Sequence, residues 1–438
     1  MFALHDISRR RFTISLFLLF GLFPTLTTVA WGWWLNQPAH RENIRLAISE
    51  LLGAELRVAE VCYPLPGVTV FTQVEWADPE TGQTLGKAER LQVVRTGERW
   101  NVSATRPEIM LDDSGQLHAW LERLLRTPLG QQLPHLTWDA AEVTLHSGKV
   151  SQSFTGVQGW FVPTNQGNQL TAKFHLAGSP HTIASELAIS RLRTAKPPAT
   201  QLTLRTGPTP LPCILLSRHG ELADLLGPRS TFAGEVQWVE QGHGWRGELS
   251  GRLKDINLYR LMHHRFPHTL SGIGEATVAY AKWSEGRLEE AEGRLDAGPG
   301  TVSGSLLQSL AHALQMRLPS TPHMEQLLPY DELSVAFQMQ GPELALRGTC
   351  GGAGPAVFRI DERTMLDEPT RPQDVAGLIR ALVPASETLV PASQESHWLL
   401  AGLPLPRSAP LTPASPPAPH PLPHNSVMAL DPDAPPRR

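Results

Sequence analysis

The spacing of apolar residues changes several times along this chain, and each change marks an element. Ile44, Ile48, Leu51 and Leu52 recur at i, i+4, i+7 and i+8, which places one buried stripe on a helix. Asn36 is suited to cap that helix, Pro38 is tolerated in its first turn, and Gly53 supplies a left-handed stop. The period then drops to two. Val58, Val68, Val70, Val74 and Trp76 alternate with polar neighbours, and Asp78-Pro79-Glu80-Thr81-Gly82 has the chemistry of a strand connection. Leu117, Trp120, Leu121, Leu124 and Leu125 predict a second helix over 114–126, ended by Pro128 and Gly130. A third begins at a cap on Ser303 and stops before Pro319. A fourth, shorter one runs over 373–382.

Between these helices the chain repeats itself. "AEVTLHSGKVSQSFTGVQGWF" from Ala141, "GEVQWVEQGHGWRGELSGRL" from Gly234 and "GEATVAYAKWSEGRLEEAEGRL" from Gly274 share one plan. A Glu (Glu142, Glu235 or Glu275) opens each unit, and a glycine closes it 17, 16 or 18 residues later. Pairs two apart (Val143 and Leu145, Val236 and Trp238, Val278 and Tyr280) fall on one face of a strand, and a mid-unit glycine turns the chain back. The opening glutamates are expected to face water. Val68 and Val70 on an earlier arm, and Val335 and Phe337 before a turn at Gly341-Pro342, extend the same pattern. Five hairpins of this kind predict one long antiparallel sheet. Its apolar face must be covered, either by the sheet folding on itself as a sandwich or by curling into a trough that holds a ligand.

Near the start, Phe12 to Leu35 carries no charge over 24 residues, long enough at ~1.5 Å per residue to cross a hydrocarbon layer of about 30 Å. Arg9, Arg10 and Arg11 precede it, which places residues 1–11 in the cytoplasm and everything after Leu35 outside the inner membrane. Trp31, Trp33 and Trp34 fall at the outer interface. Thr28 and Ala30 offer a signal-cleavage alternative, but the stretch exceeds a signal core of about 7 to 15 residues, which favours a retained single-pass anchor.

Composition adds three constraints. A net charge of -4 gives no basic field for nucleic acid. Cys62, Cys213 and Cys350 are too scattered for a metal site; isolated buried thiols fit them best, with one disulfide as the alternative. Of the 39 prolines, a dense run from residue 403 to the end predicts a disordered tail of polyproline character, a spacer or a ligand for an envelope partner. The chain therefore divides into a tail (1–11), an anchor (12–35), a β-rich body (36–360), a linker with a short helix (361–402) and the proline-rich end (403–438).

With the anchor, "ENIRLAISELLGAELRVAEVCYPLPGVTVF", "TWDAAEVTLHSGKV" and "YDELSVAFQMQGPELALRG" in place, the chain resembles the AsmA-like family, related to bridge-like lipid-transport proteins of double-membrane bacteria. That resemblance implies a periplasmic β-rich body curved into a hydrophobic groove. It further implies that the groove binds or passes phospholipid and supports outer-membrane maintenance. Groove-lining positions on that reading are Val68, Val70, Val143, Leu145, Val236, Trp238, Val278, Tyr280, Val335 and Phe337. A non-enzymatic envelope scaffold with a closed sandwich core is the alternative.

Catalytic signatures are not evident. His263, His264 and His268 cluster in "LMHHRFPH", but Pro267 lies between the last two and no glutamate stands where a base is needed. "GTCGGAGP" lacks a phosphate-loop lysine and reads as a loop at the end of a strand. No cofactor, no metal and no enzymatic activity are expected.

Overall fold

A computed structural model describes residues 6–35, 37–97, 99–110, 120–121, 123, 125, 135–147, 150–164, 167–216, 221–242, 244–263, 266–352 and 354–383. The proline-rich tail and most of the segment 111–134 lie outside the described residues.

An N-terminal helix runs from Asp6 to Leu35, with a single π-type turn over Leu18–Leu22. Its stretch Arg10–Trp34, 25 residues with a mean hydropathy of 1.8, is not buried and is long and apolar enough to span a membrane. Thr25, Thr27 and Thr28 return their hydroxyls to carbonyls one turn back, which hides their polarity. The next helix, Pro38–Leu52, starts at Gln37, one residue beyond the expected cap, and ends on Gly53 in the left-handed conformation (φ 60°).

The body is mainly β. Its strands are β1 (Glu55–Arg57), β2 (Glu60–Leu65), β3 (Val68–Ala77), β4 (Thr84–Thr96), β5 (Arg99–Thr105), β6 (Glu108–Met110), β7 (His135–Ser147) and β8 (Val150–Thr164). They continue as β9 (Gly167–Leu176), β10 (Ser185–Leu192), β11 (Ala199–Arg205), β12 (Leu211–Pro212), β13 (Thr231–Gln241), β14 (Gly244–Asn257), β15 (Ile273–Ser284) and β16 (Arg287–Ala297). The last are β17 (Gly300–Ser303), β18 (Leu327–Tyr330), β19 (Glu332–Gln340), β20 (Glu343–Gly348), β21 (Ala356–Ile360), β22 (Arg363–Asp367) and β23 (Gln373–Asp374). All but β17 and β18 join one 21-stranded sheet. Neighbours are antiparallel except where β5 and β6 run parallel to β7. The three repeats are the hairpins β7–β8, β13–β14 and β15–β16, and the two outlying arms are β3–β4 and β19–β20.

The two faces of the sheet differ in chemistry. One carries cross-strand ion pairs: Lys173 with Glu186 (3.6 Å), Arg205 with Glu235 (3.0 Å), Arg252 with Glu275 (3.0 Å) and Lys282 with Glu290 (3.4 Å). Two of the repeat-opening glutamates thus sit on the polar face, and Glu142 is exposed. The opposite face, called inner here, is apolar.

Helices cover the two ends of the inner face, and in its middle Trp120, Leu121 and Leu125 pack with Phe161 and Ile189, beside Leu170, Leu187 and Leu202. At the first, Ile44 and Ile48 of Pro38–Leu52 pack against Leu56, Val61, Phe71 and Val74. At the other, the helices Leu258–His263, Gly304–Ala313 and Val375–Leu382 pack into a core with Phe232, Val236, Val302, Leu333 and Leu366. Ser303 caps Gly304–Ala313 by accepting from the Leu306 amide, as the sequence implies, and Asp374 caps the last helix from the Ala376 amide. Val375 and Ala381 are fully buried, so the body extends to residue 383 and the expected linker from 361 is, over its described part, an integral portion of the core. Of the expected helix over 114–126, residues 120, 121, 123 and 125 are described and helical.

Candidate functional site

The inner face between the two covered ends is the candidate site, part of it overlaid by Trp120, Leu121 and Leu125. From β7 to β14 it presents Trp138, Leu145, Leu170, Phe174, Leu187, Leu202, Trp238 and Leu249, all half-buried. Register makes this a continuous lane. Leu170 faces Ile189 and Phe161, Ile189 faces Leu202, Leu202 faces Trp238, and Leu204 links Leu187 to Val236. Phe154 and Phe174 meet edge to face at 5.0 Å.

A recurring device shapes the lane. Trp76 is paired with Gly86, Trp138 with Gly159, Trp283 with Gly247 and Phe337 with Gly293. A Cβ on any of these glycines would lie 2.3, 1.8, 2.0 or 2.8 Å from the partner ring. Each aromatic therefore lies down on the backbone opposite, in space that only glycine leaves. Gly159 and Gly293 are closing glycines of their repeats. The third, Gly251, faces Gly234, with the Phe232 ring 3.0 Å from the Cβ position. The closing glycine is a ring seat.

Seven of the ten sequence-derived lining positions are on this face: Val143, Leu145, Val236, Trp238, Val278, Val335 and Phe337. Their surroundings differ. Val236 is 1% exposed within the helix-filled core, and Val335 and one side of Trp238 pack against that core, so Trp238 stands at its margin. The other three turn away. Tyr280 pairs with Glu292 on the polar face, with the Lys282 ammonium 5.9 Å from its ring centre. The register slips between Val278 and Tyr280, so the intervening Ala279 is a bulge that reverses the alternation. Val68 and Val70 pair with Val94 and Gln92, on the face opposite Phe71. Gln73 takes a positive φ of 48°, which lets Phe71 and Val74, three apart, join one cluster. Alternation alone had placed Val70 and Val74 together.

Two further recesses lie elsewhere and are small. One of about 250 Å³ is bordered by Pro208, Pro210, Ala233, Arg252 and Lys254; another of about 420 Å³ includes Lys254, Asp255, Glu275, Asp296 and Glu332 at one rim. Glu275, Asp296 and Glu332 are engaged by Arg252, by Arg294 and by the Gly351 amide, respectively. Among the described residues no group of three or more His, Cys, Asp or Glu side chains is placed to hold a metal.

The remaining candidates are structural. His268, 3% exposed, bridges Ser305 Oγ and the Ala381 carbonyl at 3.0 Å each, and burial lowers its pKa against the opposing pull of that carbonyl. His263 stacks on Tyr259 at 4.3 Å; His264 lies outside the described residues. The three cysteines are free thiols. Burial pushes Cys350 up to about 11, and its thiol donates to the Val357 carbonyl.

Arg10 and Arg11 are exposed on the N-terminal helix, which also contains Arg9. Trp31, Trp33 and Trp34 are 62%, 70% and 46% exposed at its far end. No protein-family model, curated protein or solved structure matches the chain.

Proposed function

We propose that this is a membrane-anchored, non-enzymatic protein that shelters phospholipid acyl chains on the inner face of its sheet, outside the membrane its first helix crosses, and so serves the upkeep of a double-membrane envelope. The observation that carries the reading is the half-buried apolar lane from Trp138 to Leu249. What the helix-filled core and Trp120, Leu121 and Leu125 leave uncovered of that lane calls for an apolar partner. Rings laid flat on glycine line the lane without standing into it. Each acyl methylene buried there would contribute about 0.8 kcal/mol, so several offset part of the work of leaving a bilayer. The sequence resemblance to AsmA-like proteins points the same way, and the curved groove of that family is part of the proposal.

The helix-filled end restricts the proposal to the middle of the sheet. It also favours a second reading, an envelope scaffold whose core is closed and whose proline-rich end recruits a partner.

The test is to purify residues 36–438 in mild detergent and analyse the extracted lipid by mass spectrometry. Phospholipid at a fixed ratio to folded protein supports the first reading; folded protein with only background lipid selects the second.

A further inference from the structure

Apart from the anchor, the first large apolar side chains left exposed among the described residues are Leu46 (50%) and Leu65 (65%); the next is Val150. Leu65 occupies the tip between β2 and β3, in Pro64-Leu65-Pro66-Gly67. A ladder of rings connects this tip to the end of the anchor. Trp31 and Trp34 are 5.5 Å apart, Trp34 and His40 4.1 Å, and His40 and Tyr63 6.2 Å. Tyr63 stands two residues before Leu65.

The tip is also poor in groups that need water. Pro64 and Pro66 have no amide hydrogen, and the Gly67 carbonyl accepts from the Arg95 amide at 2.9 Å. An exposed leucine on such a tip can enter the interfacial layer with fewer amide donors to satisfy than an ordinary turn would carry. Tryptophan and tyrosine rings at its root match the headgroup depth where such rings collect.

We infer that the β2–β3 tip is a second membrane contact: Leu65 inserts into the same lipid surface from which the anchor emerges and holds the first strands of the sheet against it. The occupant is the bilayer itself, argued from the continuity of the ring ladder with the span. The inference rests on Arg10–Trp34 being a membrane span and is independent of whether the inner face holds lipid. Where it does, the tip places the starting end of the sheet at the source of that lipid.

The test uses the full chain in vesicles of phosphatidylethanolamine and phosphatidylglycerol, in a Cys62→Ser background that leaves only buried native thiols. An environment-sensitive fluorophore is attached at Leu65→Cys, at Leu26→Cys within the span, and at Val150→Cys on a distant hairpin. Quenching by bromine-labelled phospholipid is then read at each position. The inference predicts quenching at 65 at least about half as strong as at 26, and severalfold above that at 150. Quenching at 26 with none at 65 beyond the level at 150 overturns the inference while the span stands. No quenching at 26 overturns the span, and the inference with it.

Discussion

Trp138 lies across Gly159 so closely that a Cβ on the glycine would meet the indole Nε1 at 1.8 Å. The same relation recurs at four places on the inner face, so it is a rule of the sheet and not a local accident. It gives a physical reason for two of the closing glycines, Gly159 and Gly293: the residue opposite is a large ring that must lie flat.

Gly159→Ala should therefore lift the Trp138 ring and destabilise the body by about 1–3 kcal/mol, the range for forced overpacking. Gly298→Ala, where nothing lies within 4 Å, should change stability by less than about 0.5 kcal/mol. Chemical denaturation of both variants checks the contrast.

Arg123 donates to Asp78 at 2.7 Å, and Asp78 is 3% exposed. Burial alone would raise this carboxyl, but hydrogen bonds from the Glu80 amide and the Arg123 guanidinium outweigh it and hold the pKa below 3.8. Its contribution to stability is thus present at neutral pH and lost in acid, as the pH falls below that ordinary value toward the folded-state one. Arg123→Ala, by leaving the buried carboxylate without its cation, should cost roughly 1–3 kcal/mol near pH 7 and less in acid. Urea titrations at neutral and acid pH measure both effects.

His268 joins Ser305 to the end of the last helix in its neutral form. Its folded pKa is lowered from 6.5, so the unfolded chain takes up the proton first as the pH falls. Stability should decline as the pH drops below about 6.5 and level off once the folded form also protonates. In His268→Gln this part of the decline should be missing. Thermal melts of the two proteins from pH 8 to 5 provide the comparison.

Trp238→Asp should reduce co-purifying phospholipid severalfold, whereas Tyr280→Ser should leave it unchanged, since Tyr280 lies beside Lys282 on the polar face. Equal losses from both would show that the two faces do not differ in function.

Much of the fold was legible in the sequence because hydrophobic period reports local geometry directly. The hairpins at β7–β8, β13–β14, β15–β16 and β19–β20, the stop at Gly53 and the cap at Ser303 all follow from nearest-neighbour chemistry. The faces were less legible. Ala279 and Gln73 carry no sequence mark of a bulge or a left-handed backbone, yet each reverses the alternation and misplaced Tyr280 and Val70. Residues 361–383 read as a linker because their strands are two to five residues long and their helix eight, too short for a hydrophobic period to mark them as part of the body. Their burial depends on partners, such as Leu314 and Met339, far away in the chain. The ring seats needed both strands in register to be recognised.

The most direct measurement is photo-crosslinking in the living cell, with a photoreactive phenylalanine analogue placed at Leu202 or Trp238 on the lane and at Tyr280 on the opposite face. The account predicts phospholipid adducts at Leu202 and Trp238 and none at Tyr280. Adducts absent from all three positions in folded, membrane-located protein, or equal at all three, would contradict it.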